Sequence, residues 1–187
     1  MRILAISGSL RTASYNTALA RAATELVPDG VEMEIYDGLG GLPLYDQDLD
    51  DPWSLQPEPV ADLRVRVEAA DAVLFVTPEY NGSVPGVLKN AIDWISARHR
   101  GSSLEGKTVA VAGATTGQYG AIWAQQDLRR VLGISGARVV AGEFPLAGAQ
   151  DAFDEDGHFR DPLQAERLRA HVNALVGEAS FAVPTAA

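Results

Sequence analysis

The sequence predicts an α/β protein in which a five-stranded parallel sheet lies between two layers of helices. Four short runs rich in Ile, Val, Leu and Ala are typical of strands buried on both faces, and they span residues 2–6, 72–76, 108–112 and 138–141. Helical patterns of apolar residues separate these runs. Because parallel neighbours need a crossover connection, the alternation indicates a doubly wound, three-layer sandwich.

The fifth strand is predicted at residues 31–36, where apolar and acidic side chains alternate. Val31, Met33 and Ile35 fall on one face of an extended segment, and two glutamates fall on the other. A strand with one apolar and one charged face is typical of a sheet edge that is half exposed to solvent. We therefore expect this strand to end the sheet on one side.

Five helices are predicted from apolar side chains that recur every three or four residues. One helix covers residues 59–70 and precedes the strand at residues 72–76 along the chain. The other four present these apolar faces: Leu19, Ala22, Ala23 and Leu26; Leu88, Ala91, Ile92 and Ile95; Ala121, Ala124, Leu128, Val131 and Leu132; and Ala165, Leu168, Val172, Leu175 and Ala179. Two segments interrupt the pattern. We expect the Gly-, Pro- and Asp-rich loop 37–57 to cover a site or an interface, and residues 142–161 to form a second loop.

Length and composition indicate one domain, at residues 1–180, followed by a flexible tail at residues 181–187. The net charge of −10, from 25 acidic and 15 basic residues, argues against a nucleic-acid partner, which would need a basic surface. The chain has no cysteine, so disulfides, thiolate metal sites and cysteine nucleophiles are excluded. Without a signal pattern or an apolar stretch of about 20 residues, we expect a soluble, cytoplasmic protein with no membrane partner.

The turn after the first strand combines hydroxyl side chains with an arginine, just ahead of a helix. Its polar residues are Ser7, Ser9, Arg11, Ser14, Asn16 and Thr17. Unpaired backbone N–H groups and the helix dipole favour a phosphate at such a turn, and a guanidinium suits its oxygens. The alternative is an ordinary connection in which Ser14 caps the helix. Because Gly8 stands alone, the spaced glycines of a dinucleotide-binding turn are missing, which favours a mononucleotide.

Two more loops follow the third and fourth strands at the same edge of the sheet. Residues 77–86 read TPEYNGSVPG, in which Pro and Gly fix an unusual backbone path and Tyr80 offers a wall to a planar ring. Residues 113–120 read GATTGQYG, whose glycines let a ligand approach the backbone. Either loop alone could be a structural turn. Because open α/β sheets bind ligands beyond the carboxyl ends of their strands, the three loops together predict one ligand site.

These three segments resemble the NADPH-dependent FMN reductase family. The similarity rests on GSLR at residues 8–11 with Asn16, on TPEYNGSVPGVLKNAIDW at residues 77–94, and on the loop 113–120. It covers about residues 1–180. The resemblance implies a flavodoxin-like fold and relatives among quinone, chromate and azo-dye reductases.

The resemblance also implies FMN as the cofactor, and it assigns the contacts residue by residue. The phosphate would be held by Ser9, Arg11, Asn16 and Thr17, together with Ser14. The isoalloxazine ring and ribityl chain would be bordered by Pro78, Glu79, Tyr80, Asn81, Gly82 and Ser83. The other side would be contacted by Thr115, Thr116 and Gly117. In this third loop relatives often carry a Ser and paired glycines, where this chain reads ATTGQYGA.

By the same resemblance, the protein is expected to be an oxidoreductase. Hydride would pass from NADPH or NADH to FMN and then to a small acceptor such as a quinone, chromate, an azo compound or free flavin, so no catalytic side chain is assigned. Two alternatives stay open: an FMN-binding electron carrier for protein partners, and a cofactor-free binding domain on the same fold. The resemblance further implies a homodimer or homotetramer, with residues 37–57 and 80–97 near the interface.

Several other motifs are interpreted as structural. Residues 101–108, GSSLEGKT, match the phosphate loop of nucleotide triphosphatases, but they precede a strand instead of following one. No metal site is predicted, because the histidines at positions 99, 158 and 171 lie in different elements. The acidic residues Asp46, Asp48 and Asp50 begin like a calcium loop that lacks its turn glycine and final glutamate. A solvated acidic loop is predicted there instead.

Overall fold

A parallel sheet runs through the centre of the structure, a computed structural model that describes residues 1–97 and 100–182. Its strands are β1 (Arg2–Ser7), β2 (Glu32–Tyr36), β3 (Ala72–Thr77), β4 (Thr108–Ala114), β5 (Arg138–Val139) and β6 (Phe144–Leu146). The order across the sheet is β2–β1–β3–β4–β5, and β6 also pairs with β4. All pairings of named strands are parallel, so the predicted doubly wound α/β class is confirmed.

Two layers of helices cover the sheet. Within the described residues they are α1 (Tyr15–Thr24), α2 (Glu58–Ala69), α3 (Gly86–Ser96), α4 (Ile122–Ile134) and α5 (Pro162–Ala182), with short 3₁₀ turns at Gly38–Gly41 and Gln47–Leu49. Side chains of α1 and α5 join one apolar cluster, and those of α2, α3 and α4 join another on the opposite face. The three-layer arrangement is therefore confirmed. Burial of β3 and β4 along their whole length explains why both are continuous apolar runs.

The strand predicted at residues 138–141 departs from its predicted extent. β5 pairs only with the beginning of β4, whereas β6, inside the predicted loop 142–161, pairs with the end of β4. Between them Gly142 adopts a φ of +85°, a left-handed conformation that interrupts the extended chain. The buried amide of Gln125 accepts a hydrogen bond from Phe144 N at 3.0 Å and donates one to Gly120 O at 2.9 Å. The last position of the sheet thus holds two short strands instead of one.

The last helix extends beyond the predicted end of the domain at residue 180. α5 continues through Ala182 and so includes the first two residues of the predicted tail at 181–187. Residues 183–187 and His99 lie outside the described residues. Among residues 1–97 and 100–182, no helix combines the length and the apolar character that crossing a bilayer requires.

The GSSLEGKT segment lies at the end of the sheet opposite the three candidate loops, as its position before β4 predicts. The ammonium group of Lys107 donates a hydrogen bond to Ala70 O, just beyond the carboxyl end of α2. Burial lowers the pKa of this half-buried ammonium group. Lys107 therefore ties the loop before β4 to the carboxyl end of α2.

The structure also brings Asp154, Asp156 and His158 together, with ligand atoms within 4.8 Å of one another. The carboxylate of Asp154 accepts hydrogen bonds from the backbone N–H groups of Asp156 at 3.0 Å and His158 at 2.9 Å. These backbone hydrogen bonds, with that from His158 foremost, lower the pKa of Asp154. The carboxylate thus closes the turn between Phe153 and Phe159, whose rings pack 4.8 Å apart.

His171 on α5 is expected to make the stability of the protein depend on pH. Its Nε2 lies 3.0 Å from Val111 O, and because a carbonyl can only accept, Nε2 carries the proton of the neutral ring. Burial lowers the pKa of His171 below its ordinary value of 6.5. The unfolded chain therefore binds the second ring proton, which makes the imidazole positive, more readily than the folded chain does. The stability contribution is complete above pH 6.5 and declines as the pH falls towards the lowered pKa.

Urea unfolding at about pH 7.5 and about pH 5.5, on either side of the ordinary pKa, measures this effect. His171→Gln keeps a donor for the carbonyl and should lose less stability on acidification than the natural chain does. The control is His158→Gln, which removes an exposed histidine. Equal losses in the natural chain and in His171→Gln would show that the proton binds elsewhere.

Candidate functional site

A cleft opens at the carboxyl edge of the sheet, between the loops that follow β1, β3 and β4. Its volume is about 250 Å³. We call it the main cleft. Most of the predicted site residues line it, namely Ser9, Arg11, Ser14, Asn16, Pro78, Glu79, Tyr80, Thr115 and Thr116, together with Tyr15 and Ala114, which sequence reasoning missed. Thr17, Asn81, Gly82, Ser83 and Gly117 do not line it. The predicted convergence of three loops is therefore observed, with a smaller set of residues.

Glycines at two strand ends allow the loops to come this close. Gly8 N donates to Val76 O at 2.8 Å, and a Cβ on Gly8 would lie 2.8 Å from the side chain of Leu88. A Cβ on Gly113 would lie 2.7 Å from Thr77 O. A Cβ at Gly113 would therefore displace the backbone at the end of β3, whereas one at Gly8 would displace the Leu88 side chain on α3. Gly113 thus allows the ends of β3 and β4 to lie close together.

Ser14 caps α1, as the structural interpretation of this turn expected. Its Oγ accepts hydrogen bonds from Asn16 N and Thr17 N, both at 3.2 Å. The cap uses two of the N–H groups that a bound anion could otherwise take. Within the described residues, the N–H groups of Thr12, Ala13 and Tyr15 have no acceptor. The donors available to an anion therefore lie in the exposed turn and at the first residue of the helix.

The side chains of Asn16 and Thr17 bind other parts of the protein and so hold the β1–α1 turn in place. The buried amide of Asn16 donates to Ala114 O at 3.0 Å and accepts from Ala114 N at 2.9 Å, which joins α1 to the end of β4. The hydroxyl of Thr17 lies 3.1 Å from that of Ser7. Both side chains are engaged within the protein. Direct phosphate contacts by these two side chains stay a prediction.

Arg11 is the cation of this turn. Its side chain is exposed, and its guanidinium carbon lies 4.8 Å from the centre of the Tyr15 ring. Within the described residues it forms no ion pair. A guanidinium supported by an aromatic ring, next to unpaired N–H groups, can bind an anion with several hydrogen bonds. The turn is thus equipped for a phosphate.

The loop after β3 contains a tight hairpin. Tyr80 and Ser83 exchange two backbone hydrogen bonds of 3.1 Å, and φ is 53° at Asn81 and 73° at Gly82. Left-handed conformations at both central positions define a type I′ turn, for which Asn-Gly is a preferred pair. The turn puts Asn81 and Gly82 at an exposed tip and leaves Tyr80 beside the cleft. The hydroxyl of Ser83 donates to Asp127 on α4 at 2.7 Å.

Glu79 connects this hairpin to the beginning of α4. Its carboxylate accepts a hydrogen bond from Ala124 N at 3.1 Å. The residue in the capping position, Ala121, has a φ of +61° and no side-chain acceptor, so Glu79 supplies the cap from another loop. Together with the Ser83–Asp127 hydrogen bond, this contact fixes the hairpin against α4.

β6, which lies within the predicted loop 142–161, holds the loop after β4 in place. Thr115 N donates to Leu146 O at 3.0 Å, and Thr115 O accepts from Ala149 N at 3.0 Å. The Thr115 hydroxyl accepts from Gly117 N at 3.3 Å. Thr116 and Gly117 are exposed. The unexpected β6 therefore positions the third loop of the site.

Comparison with known proteins identifies the family. The model of the NADPH-dependent FMN reductase family matches residues 1–151. The chain belongs to this family. It is therefore an oxidoreductase of the FMN- and NAD(P)H-dependent class, and the predicted resemblance, cofactors and enzyme class are confirmed.

Relatives of this FMN reductase family member are similar over most of the chain. An NAD(P)H-dependent FMN reductase of Pseudomonas aeruginosa is 41% identical over 177 residues, which cover 94% of this chain and 93% of the relative. A 2-hydroxy-1,4-benzoquinone reductase of a Burkholderia species is 43% identical over 131 residues, covering 70% and 69%. Quinone reductases are thus among the relatives.

Solved structures of related proteins have the same fold. The flavoenzyme FerB, an NAD(P)H:(acceptor) oxidoreductase from Paracoccus denitrificans, superimposes with a TM-score of 0.85 at 36% identity, covering 96% of this chain and 97% of FerB. A flavodoxin from Pseudomonas aeruginosa superimposes with a TM-score of 0.54 at 22% identity, covering 91% and 99%. The latter match shows that the fold is flavodoxin-like.

The main cleft fits FMN by its chemistry. A phosphate requires donors and positive charge, which the unpaired N–H group of Tyr15 and the guanidinium of Arg11, both from residues that line the cleft, provide. A planar ring requires a flat neighbour, and the half-exposed ring of Tyr80 borders the cleft. The residues present are therefore suited to the cofactor of the family.

Proposed function

We propose that this protein reduces quinones with electrons from NAD(P)H, with FMN held in the main cleft. When bound, FMN accepts electrons from NAD(P)H and delivers them to the acceptor. The observation that carries the proposal is the meeting of Arg11, Tyr15 and Tyr80, the first residue of the hairpin, in one cleft at the carboxyl edge of the sheet. The individual contacts of FMN with this chain are part of the proposal.

In this proposal some residues bind FMN, and others position the loops that contact it. Arg11 and the N–H groups of the β1–α1 turn bind the phosphate, and the positive end of the α1 dipole adds to the attraction. Glu79 fixes the hairpin against α4 through Ala124 N. The hairpin then offers backbone groups and the Tyr80 ring to the flavin. Because the cofactor carries the electron chemistry, the protein needs no acid–base pair at the rim.

Two exposed aromatic side chains near the beginning of α4 form, in this proposal, the acceptor side of the site. Tyr119 and Trp123 pack with ring centres 4.8 Å apart and remain 53% and 48% exposed. Trp123 directly precedes Ala124, the residue that Glu79 contacts at the wall of the cleft. Aromatic rings stack with other planar rings. This favours planar acceptors such as quinones, azo compounds and free flavin over chromate, a compact oxyanion.

Trp123→Ala should raise the KM for a quinone by about three- to tenfold, the range expected from the loss of one aromatic contact. The KM for chromate should change little, because an oxyanion gains nothing from stacking. Steady-state kinetics with benzoquinone and with chromate measure both values. The control is Ile134→Ala, which removes an exposed apolar side chain at the other end of α4. An unchanged quinone KM would place the acceptor elsewhere.

A visible spectrum of the purified protein tests the function directly. We expect flavin absorption that NADH or NADPH bleaches under nitrogen and that a quinone restores without a partner protein. If bleached protein transferred electrons only to another protein, the electron-carrier alternative would be correct. Colourless protein that does not change the fluorescence of added FMN would overturn the proposal.

We further propose that the protein is a homodimer or homotetramer. The long loop carries Leu44, Trp53 and Leu55 with 83%, 94% and 93% of their surfaces exposed, and exposed apolar side chains favour association. The loop is anchored on α3, because Asn90 and Trp94 each donate a hydrogen bond of 2.8 Å to Pro43 O. Light scattering tests the proposal, and a mass equal to one chain would contradict it.

A further inference from the structure

A second cleft lies beside the main cleft, on the β2 side of the β1–α1 turn. Its volume is about 580 Å³, more than twice the 250 Å³ of the main cleft. We call it the side cleft. Ser9 lines both clefts, so both border the turn that is proposed to hold the flavin phosphate. A volume within the range of about 300–1,000 Å³ is typical of sites for small organic ligands.

The side cleft offers chemistry that the proposed reaction does not use. Arg21 on α1 and Asp37 at the end of β2 both line it, both are exposed, and neither forms an ion pair within residues 1–97 and 100–182. Leu10 and Leu39 add apolar surface. A cation suits a phosphate, a carboxylate suits the hydroxyls of a ribose, and apolar side chains suit the face of a base.

We propose that the side cleft binds the adenylate group of FAD, so that the protein accepts FAD as well as FMN. This inference rests on the proposed flavin site, because it requires the flavin phosphate at the β1–α1 turn. A group attached to that phosphate would extend past Ser9, which lines both clefts, into the side cleft. There Arg21 would meet the second phosphate and Asp37 the ribose hydroxyls. The position of Ser9 between the two clefts favours FAD over a separate adenine nucleotide, which has no link to the flavin phosphate.

The missing glycines of the turn are consistent with this arrangement. Spaced glycines are needed where both phosphates of a dinucleotide lie against one helix N-terminus. In this chain only the flavin phosphate needs the turn, since the second phosphate would lie in the side cleft near Arg21. The single Gly8 is therefore sufficient for either flavin.

Calorimetric titration of flavin-free protein with FMN and with FAD tests the inference. Both flavins should bind to the natural chain. Asp37→Ala and Arg21→Ala should each weaken FAD about tenfold, the effect of losing one hydrogen bond to a charged group, and should leave FMN unchanged. The controls are Asp29→Ala and Arg169→Ala, which remove exposed charges outside both clefts. Unchanged FMN affinity also reports that each variant is folded.

Two results would overturn the inference: FMN binding without FAD binding in the natural chain, or equal loss of both flavins in the two variants. Either result leaves the proposed quinone reductase function intact, because FMN still binds. Failure of the natural chain to bind either flavin would instead contradict the proposed function itself. The two proposals are thus judged by separate measurements.

Discussion

Arg11→Ala is expected to weaken FMN binding by roughly ten- to a hundredfold, because a hydrogen bond to a charged group contributes about 1.5–3 kcal/mol. The Arg11 guanidinium is exposed and forms no ion pair within the described residues, so its removal should hardly change the free energy of unfolding. Titration of flavin-free protein with FMN measures the first quantity, and urea unfolding measures the second.

Two further variants separate the effect of charge from that of geometry. Arg11→Lys keeps the positive charge but loses the planar fork, so its FMN affinity should lie between those of the natural chain and Arg11→Ala. Arg169→Ala removes an exposed arginine on α5, outside the main cleft, and should bind FMN normally. An Arg11→Ala protein that purifies with a full complement of flavin would remove Arg11 from the site.

The sheet could be predicted well where its strands are buried on both faces. β1, β3 and β4 begin where their apolar runs begin, because a central strand needs apolar side chains at every position. The last strand could not be predicted in the same way. At its interruption, side chains of α4 bind the backbone: Arg129 donates to Gly142 O, and the Gln125 amide accepts from Phe144 N. Nothing local to residues 138–146 records those contacts.

For the site too, its position follows from local sequence, whereas its shape depends on contacts between residues far apart in the chain. Because parallel strands end at one edge, three polar loops after three strands had to meet there. The contacts that shape the cleft, however, join residues far apart in the chain: Asn16 with Ala114, and Glu79 with Ala124. Such pairs leave no periodic signal in a single sequence. The sequence therefore locates the cleft, while the structure separates the residues that line it from those that support it.

Asp50 is a further departure from the sequence-based expectation, which placed it on a solvated acidic loop with Asp46 and Asp48. Instead its side chain is fully buried, and its carboxylate lies 3.0 Å from the guanidinium of Arg64. Arg64 also donates to Gly101 O at 2.8 Å and to Trp94 O at 2.6 Å. The prediction was wrong because the cation that allows this burial lies on α2, outside the loop.

Asp50→Ala is expected to lower the free energy of unfolding by about 3–5 kcal/mol, because the variant leaves the buried guanidinium of Arg64 without its counter-charge. A loss of this size is a large part of the total stability of a typical domain. Urea unfolding of the natural chain and the variant measures it. Asp48→Ala, which removes an exposed carboxylate from the same loop, should cost less than about 0.5 kcal/mol.

Asp50→Asn distinguishes the charge from the hydrogen bond. The amide oxygen can still accept from Arg64, so a variant nearly as stable as the natural chain would mean that the hydrogen bond matters and the charge does not. We expect the opposite, a loss close to that of Asp50→Ala, because the uncompensated charge of Arg64 stays buried in both variants. The same pair holds the loop that presents Leu44 and Trp53. Both variants should therefore also be cut more readily by protease within residues 42–57, and resistance there would show that the loop is held by other contacts.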